Sequence, residues 1–143
     1  MKRKASAVWE GGLKDGKGTV SAESGVLNSV PYSFEKRFGE EKGTNPEELI
    51  AAAHASCFAM ATSAELGKAG ITAKRIAATA NVALEKVGDG FSVTTSHLEV
   101  TINAPGADRA KVQAAADGAK AGCPISKLLT AEVTLDYEFQ PAS

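Results

Sequence analysis

Cys57 and Cys123 are the two thiols of this sequence, and His54 and His97 its two imidazoles. Cys57 closes the stretch "NPEELIAAAHASCF" (45–58), where small alanines stand in place of the Leu and Ile that usually fill a helix of a soluble protein. By helical spacing Cys57 shares a face with Ile50, Ala53, Met60 or Ala61, and Ala64. A thiol on so apolar a face can be a small core filler, since free cysteine is among the most buried residue types, and the chain would then be a non-enzymatic stress or interaction protein with structural cysteines. Cys123 keeps a second reading open. It precedes Pro124 at the start of a helical turn, where free backbone N–H groups and the helix dipole favour a thiolate. Two such cysteines can serve as a peroxide-attacking thiolate and a resolving thiol. Composition alone separates neither reading from the other.

His54 lies three residues before Cys57, within reach along a helix, so a Cys57/His54 thiol hydrolase or acyltransferase is a further alternative. Such pairs normally need a third orienting group and come from different elements, and the ordinary reading of His54 is a partly exposed helix histidine. His97 has no legible partner. Neither the cysteine nor the histidine spacing is that of a zinc knuckle or a CxxC redox motif, and no metal or other cofactor is expected. Arg37 precedes the loop that leads into the Cys57 helix. An arginine there either decorates the surface or draws a thiol pKa down from about 8.5 and hydrogen-bonds a peroxide oxygen. Glu47, at the helix start, either offsets the helix dipole or holds that guanidinium by a bidentate bond, and both can hold together. Phe58 and Met60 are candidate walls of an apolar substrate pocket, or plain core.

The elements that must position these groups follow from periodicity and punctuation. "KASAVW" (4–9) and "KGTVSA" (17–22) are expected strands joined by the Gly- and Asp-bearing turn "EGGLKDG", and "YSFEKRF" (32–38) a third strand. Asn45 as N-cap, Pro46 at the first helical position and Glu47 and Glu48 behind it start a helix over 46–67. Residues 76–102 form a hairpin about "GDG" (88–90), with a phase slip between 93 and 98 that implies a bulge or bend. A second helix spans 105–122, capped near Asp108; "CPISKLL" is a helical turn, and 131–139 is the last strand. The order βββ-α-ββ-α-β predicts an α+β fold, mostly antiparallel, as one domain over residues 1–143.

A chain of this length with 43% hydrophobic residues can bury a core without disulfides. A net charge of −1 with no basic run longer than "KRK" (2–4) gives no footprint for nucleic acid. The apolar stretch 49–61 looks too short to span a bilayer, and no apolar run follows the basic N-terminal residues as in a secretory signal, so the expected location is cytoplasmic, with reduced thiols and no membrane partner.

Taken together, "GEEKGTNPEELIAAAHASCFAMA" (39–61), "AKAGCPISKLLTAEVTLDYEF" (119–139) and "VWEGGLKDGKGTVSAESGVL" (8–27) resemble the signature regions of the OsmC/Ohr family of osmotically inducible and organic-hydroperoxide-resistance proteins, over essentially the whole chain. The resemblance implies a thiol-dependent peroxidase that reduces organic hydroperoxides, is recharged by an external dithiol and takes part in the stress response. It implies an intertwined homodimer, with sheets enclosing the helices and active sites where the subunits join. It places the peroxidatic cysteine on Cys57, the resolving cysteine on Cys123, the catalytic arginine on Arg37 and the glutamate that orients it on Glu47. In the family the position of His54 is not a required histidine.

Overall fold

The computed structural model of the chain describes residues 1–142. It shows two compact units, Met1–Leu49 and a second that begins at Ile50. In the first unit three strands, β1 (Ala5–Glu10), β2 (Lys17–Ala22) and β3 (Val30–Tyr32), form an antiparallel sheet in that order. The β1–β2 turn contains Gly11 at φ 92°, a conformation that favours glycine. Gly18 is opposite Trp9 on one side and Tyr32 on the other. The two rings meet over it with centroids 5.4 Å apart, and a Cβ on Gly18 would come within 2.6 Å of both.

The expected third strand over 32–38 is only partly there. β3 ends at Tyr32, and Phe34–Phe38 is a short helix, α1. Ser33 causes the switch, because its hydroxyl accepts the Lys36 N–H at 3.2 Å and caps the new helix. Phe34 and Phe38, one turn apart, then stack at 4.8 Å.

Helix α2 (Pro46–Lys68) starts as its sequence requires, with the Glu48 N–H donating to Asn45 Oδ1 at 2.8 Å. At 23 residues, with a mean hydropathy of 1.3 over its most apolar window, it is long and apolar enough to cross a membrane by length and composition, which corrects the reading of a shorter run. Its side chains show what one face does. His54, Phe58, Thr62 and Leu66, spaced by four, are all fully buried, as on the core side of an amphipathic helix. Phe58 and Leu66 each contribute roughly 1.5–3 kcal/mol through burial.

The second unit carries a sheet of order β4-β5-β6, built from β4 (Arg75–Val87), β5 (Gly90–Asn103) and β6 (Glu132–Gln140). β4 and β5 are the expected hairpin, with the register shift at Ala83/Leu84 leaving Thr94 unpaired, inside the segment 93–98 of the phase slip. Ser96, Leu98, Val100 and Ile102 alternate inward along β5. β6 pairs with β5 in parallel, so this sheet is mixed. The crossover holds α3 (Arg109–Gly122), capped by the Asp108 side chain, and α4 (Pro124–Leu128). Val112, Ala115, Ala116 and Ala119 of α3 share one core with Phe58, Leu66, Leu98, Ile102 and Phe139.

Candidate active site

Cys57 and Cys123 are far apart in sequence and adjacent in space. Cys57 projects from the middle of α2, and Cys123 is both the last cap of α3 and the first of α4. Their sulfurs lie 2.8 Å apart and share a hydrogen bond, with both thiols reduced. Cys123 is fully buried and Cys57 half-buried at the margin of the core. Burial, and then the bond to Cys123, push the Cys57 thiol pKa up, while a backbone hydrogen bond from Ile125 of α4 works the other way by favouring the thiolate. A thiol poised as thiolate by its own helix is therefore not what the second unit provides.

Arg37 and Glu47 form a second constellation, inside the first unit. Arg37 Nη2 donates to Glu47 Oε1 at 2.8 Å, and Nε lies 3.2 and 3.3 Å from Oε1 and Oε2. The carboxylate sits at the start of α2 and is only 8% exposed. The side-on fork uses Nε and Nη2 and not Nη1, so it fixes the plane of the guanidinium while keeping one N–H edge outside the pair. The guanidinium also lies 5.1 Å from the Phe38 ring centroid. Beside it, Trp9, Leu13, Tyr32, Phe34 and Phe38 line a cavity of about 200 Å³ with Arg37 on its wall. Sequence reasoning misses this aromatic cavity, because its residues come from β1, the β1–β2 turn, β3 and α1, where the sequence predicts a strand.

The two residues expected to wall a pocket are on different faces of α2. Phe58 is core, while Met60 is 76% exposed. The i, i+4 stripe decides this, since it turns position 58 inward and leaves position 60 outside it. His54 belongs to the same buried stripe, so it is not the partly exposed histidine that the sequence implied. Its Nδ1 is 2.6 Å from Ser96 Oγ on β5, and its Nε2 is 2.7 Å from Ser126 Oγ on α4. With both ring nitrogens occupied by hydroxyls, His54 has none left to activate Cys57 as a general base, which takes away the geometry a thiol hydrolase needs. Burial lowers the His54 pKa, so the ring is neutral, accepting from one serine and donating to the other. His97 bridges β5 and β6 through Thr134 and Asp136, at 2.5 and 3.0 Å. Among the described residues no group of three or more His, Cys, Asp or Glu side chains is placed to hold a metal ion.

Comparison with known proteins gives the family. Residues 39–138 match the family model for OsmC-like proteins. The chain is 54% identical over 138 residues to the peroxiredoxin OsmC of Escherichia coli K12, covering 96% of each. It is 35% identical over 86 residues to an organic hydroperoxide resistance protein of Xanthomonas axonopodis pv. citri, covering 59% of this chain and 58% of the other. The crystal structure of the organic hydroperoxide resistance protein OhrB of Bacillus subtilis superposes with a TM-score of 0.67 at 26% identity, covering 96% of this chain and 98% of that one. An α+β fold with a reduced thiol pair seated between α2 and α4, and matches of this length and identity, lead to one conclusion: the chain belongs to the OsmC family.

Proposed function

We propose that this protein is a thiol-dependent peroxidase that reduces organic hydroperoxides to alcohols, through Cys57 as the attacking thiol and Cys123 as the resolving one. The observation that carries the reading is the 2.8 Å approach of the two sulfurs. The Cys57 thiolate attacks the distal peroxide oxygen and the O–O bond breaks. The alkoxide leaves, taking up a proton to become the alcohol, and Cys57 is left as a sulfenic acid. The Cys123 sulfur then displaces that hydroxyl as water and the disulfide forms. An external dithiol reduces it by exchange, giving back both thiols and carrying away a disulfide of its own. The names of the Escherichia coli and Xanthomonas relatives support this reaction class.

Because burial raises the Cys57 pKa, the thiolate needs help from a positive group. Arg37 supplies it in this proposal, with Glu47 holding the guanidinium flat and its free N–H edge turned to a peroxide oxygen. The aromatic cavity beside Arg37 takes the organic part of the substrate, which favours organic hydroperoxides over hydrogen peroxide. The single domain expected over 1–143 becomes complete, in this reading, as an obligate homodimer in which Arg37 and Cys57 meet where the subunits join. The exposed alanines and Met60 of α2 leave a close-approach surface for such a partner. Sedimentation tests the assembly, and a folded, fully active monomer at working concentration would refute it.

The chemistry is tested by adding cumene hydroperoxide to the reduced protein. Two thiols per chain should be lost, with a Cys57–Cys123 bond found on digestion. Cys57→Ser should abolish the reaction, and Cys123→Ser should let a sulfenic acid accumulate on Cys57, where a sulfenic-acid probe traps it. Full turnover by Cys57→Ser would sink the assignment, and probe labelling of Cys57→Ser instead of Cys123→Ser would reverse the two roles.

A further inference from the structure

His54 is the largest fully buried polar side chain of α2, and the peroxidase chemistry above makes no use of it. Its two bonds tie together three elements. Ser96, itself fully buried, holds the ring from β5, and the ring holds Ser126 of α4. α4 is a five-residue helix, too short to be stable by itself, so its place is set by what it touches. That place matters because α4 delivers two things to Cys57. Its N-cap is Cys123, whose sulfur is 2.8 Å away, and its Ile125 backbone hydrogen-bonds the Cys57 sulfur. His54 and Cys57 are one helical turn apart on the same rigid helix, so the contacts form a closed ring: α2 through His54 to Ser126, along α4 to Ile125 and Cys123, and back to α2 at Cys57.

We infer that His54 is a positioning residue: its bond to Ser126 clamps α4 onto α2, so that the Ile125 N–H and the Cys123 thiol are aimed at the Cys57 sulfur. The inference deepens the peroxidase reading, and rests on it for its biological use. The geometry itself concerns only the thiol pair. A buried imidazole suits this task better than an amide. It reaches opposite directions with its two nitrogens, and its rigid ring transmits the position of β5 to α4 with two torsions only. Ile125 packs against the margin of the core and anchors the same helix by its side chain. The hydroxyl bond adds what an apolar contact lacks, a fixed direction.

Ser126→Ala removes the clamp with the smallest change in shape, and Ser126→Thr keeps the hydroxyl. In a Cys123→Ser background, the pH dependence of Cys57 alkylation by iodoacetamide reads the thiolate directly. Losing one hydrogen bond to a charged sulfur should move that midpoint up by about one pH unit. In the chain with both cysteines, oxidation by the azo compound diamide reads closure: the two thiols give up two hydrogens to the N=N bond, which becomes a hydrazine, and one disulfide forms. Closure in Ser126→Ala should be slower by about ten- to a hundredfold, the cost of a misplacement on the order of an ångström. Ser126→Thr should restore both values. His54→Phe, which fills the buried volume without either bond, should match Ser126→Ala. A hydroxyl that served stability alone would lower the unfolding midpoint of Ser126→Ala and leave both thiol readings at the parent values, and that result overturns the inference. Wild-type thiols inert to cumene hydroperoxide would remove the peroxidase reading, while the alkylation and diamide measurements would still decide the clamp.

Discussion

Replacing Glu47 by Gln should destabilise the protein by about 1–2 kcal/mol and release the Arg37 guanidinium from its fixed plane. The magnitude follows from the fork. Oε1 accepts from Nη2 at 2.8 Å, and Nε is shared between Oε1 and Oε2 at 3.2 and 3.3 Å. Hydrogen bonds of this charged kind contribute about 1.5–3 kcal/mol net, against about 0.5–1.5 for neutral ones. Gln keeps the shape and one acceptor, so the bonds to Oε1 survive in weaker form, but its NH₂ group faces the Nε–H donor and the contact at Oε2 is lost. The Arg37 side chain is 38% exposed and can rehydrate, which holds the loss to the difference between the two bond classes. The assay is a double-mutant cycle with Arg37→Gln: urea unfolding of the four proteins at one protein concentration, with the coupling read from the free energies. A coupling near 1–2 kcal/mol is expected, and the rate of hydroperoxide reaction in Glu47→Gln should fall by about tenfold as the guanidinium loses orientation, equivalent to about 1.4 kcal/mol of barrier. A coupling below about 0.3 kcal/mol, the level at which independent sites add, would show that the fork is a surface contact without energetic weight.

Acid should weaken the fold through His54: burial sets its folded pKa below the ordinary 6.5, so as pH falls the unfolded chain binds the proton first. The His54 contribution to stability is therefore complete above about pH 6.5 and is lost as pH falls from there toward the folded value, at no more than about 1.4 kcal/mol per pH unit; urea midpoints between pH 7.5 and 5 should show a steeper fall in wild type than in His54→Gln, and equal slopes would clear the histidine. Gly18→Ala should destabilise by about 1–3 kcal/mol, because the new Cβ meets two rings that are rigid and already packed on each other, and thermal unfolding that matched wild type would show that Trp9 and Tyr32 can part.

What the sequence made legible were the features written in local chemistry. Asn45 and Pro46 announce the start of α2, Asp108 that of α3, and the alternation of Ile76 to Ile102, with its slip, gives both the hairpin and its irregularity. The misreadings have local causes too. Phe34 and Phe38 are four apart, a helical spacing, and the Ser33 cap makes it a helix where a third strand is expected. The parallel pairing of β5 and β6 depends on the crossover through α3 and α4, a tertiary choice that no single segment states. The resemblance names Cys57, Cys123, Arg37 and Glu47, and the structure brings together Cys57 with Cys123 and Arg37 with Glu47. His54 is buried in spite of its polar ring because Phe58, Thr62 and Leu66 share its face. Ser96 and Ser126, its partners, carry no signal in the sequence at all, since a serine in a strand or a short helix is ordinary until something buried faces it.

The hairpin of β4 and β5 outruns its neighbour. β6 pairs only with Thr95–Asn103, so beyond the unpaired Thr94 the ribbon from Leu84 to Val93 has two strands where the rest of the sheet has three. Two strands alone are marginal in water, and Val87 and Phe91 near the tip are more than half exposed. The sheet should therefore unzip from that end, and amide hydrogens should record it as a gradient in time: rapid exchange about Gly88 and Asp89, slower toward Thr94, and slowest along Leu98 to Ile102, where β5 has a partner on each side.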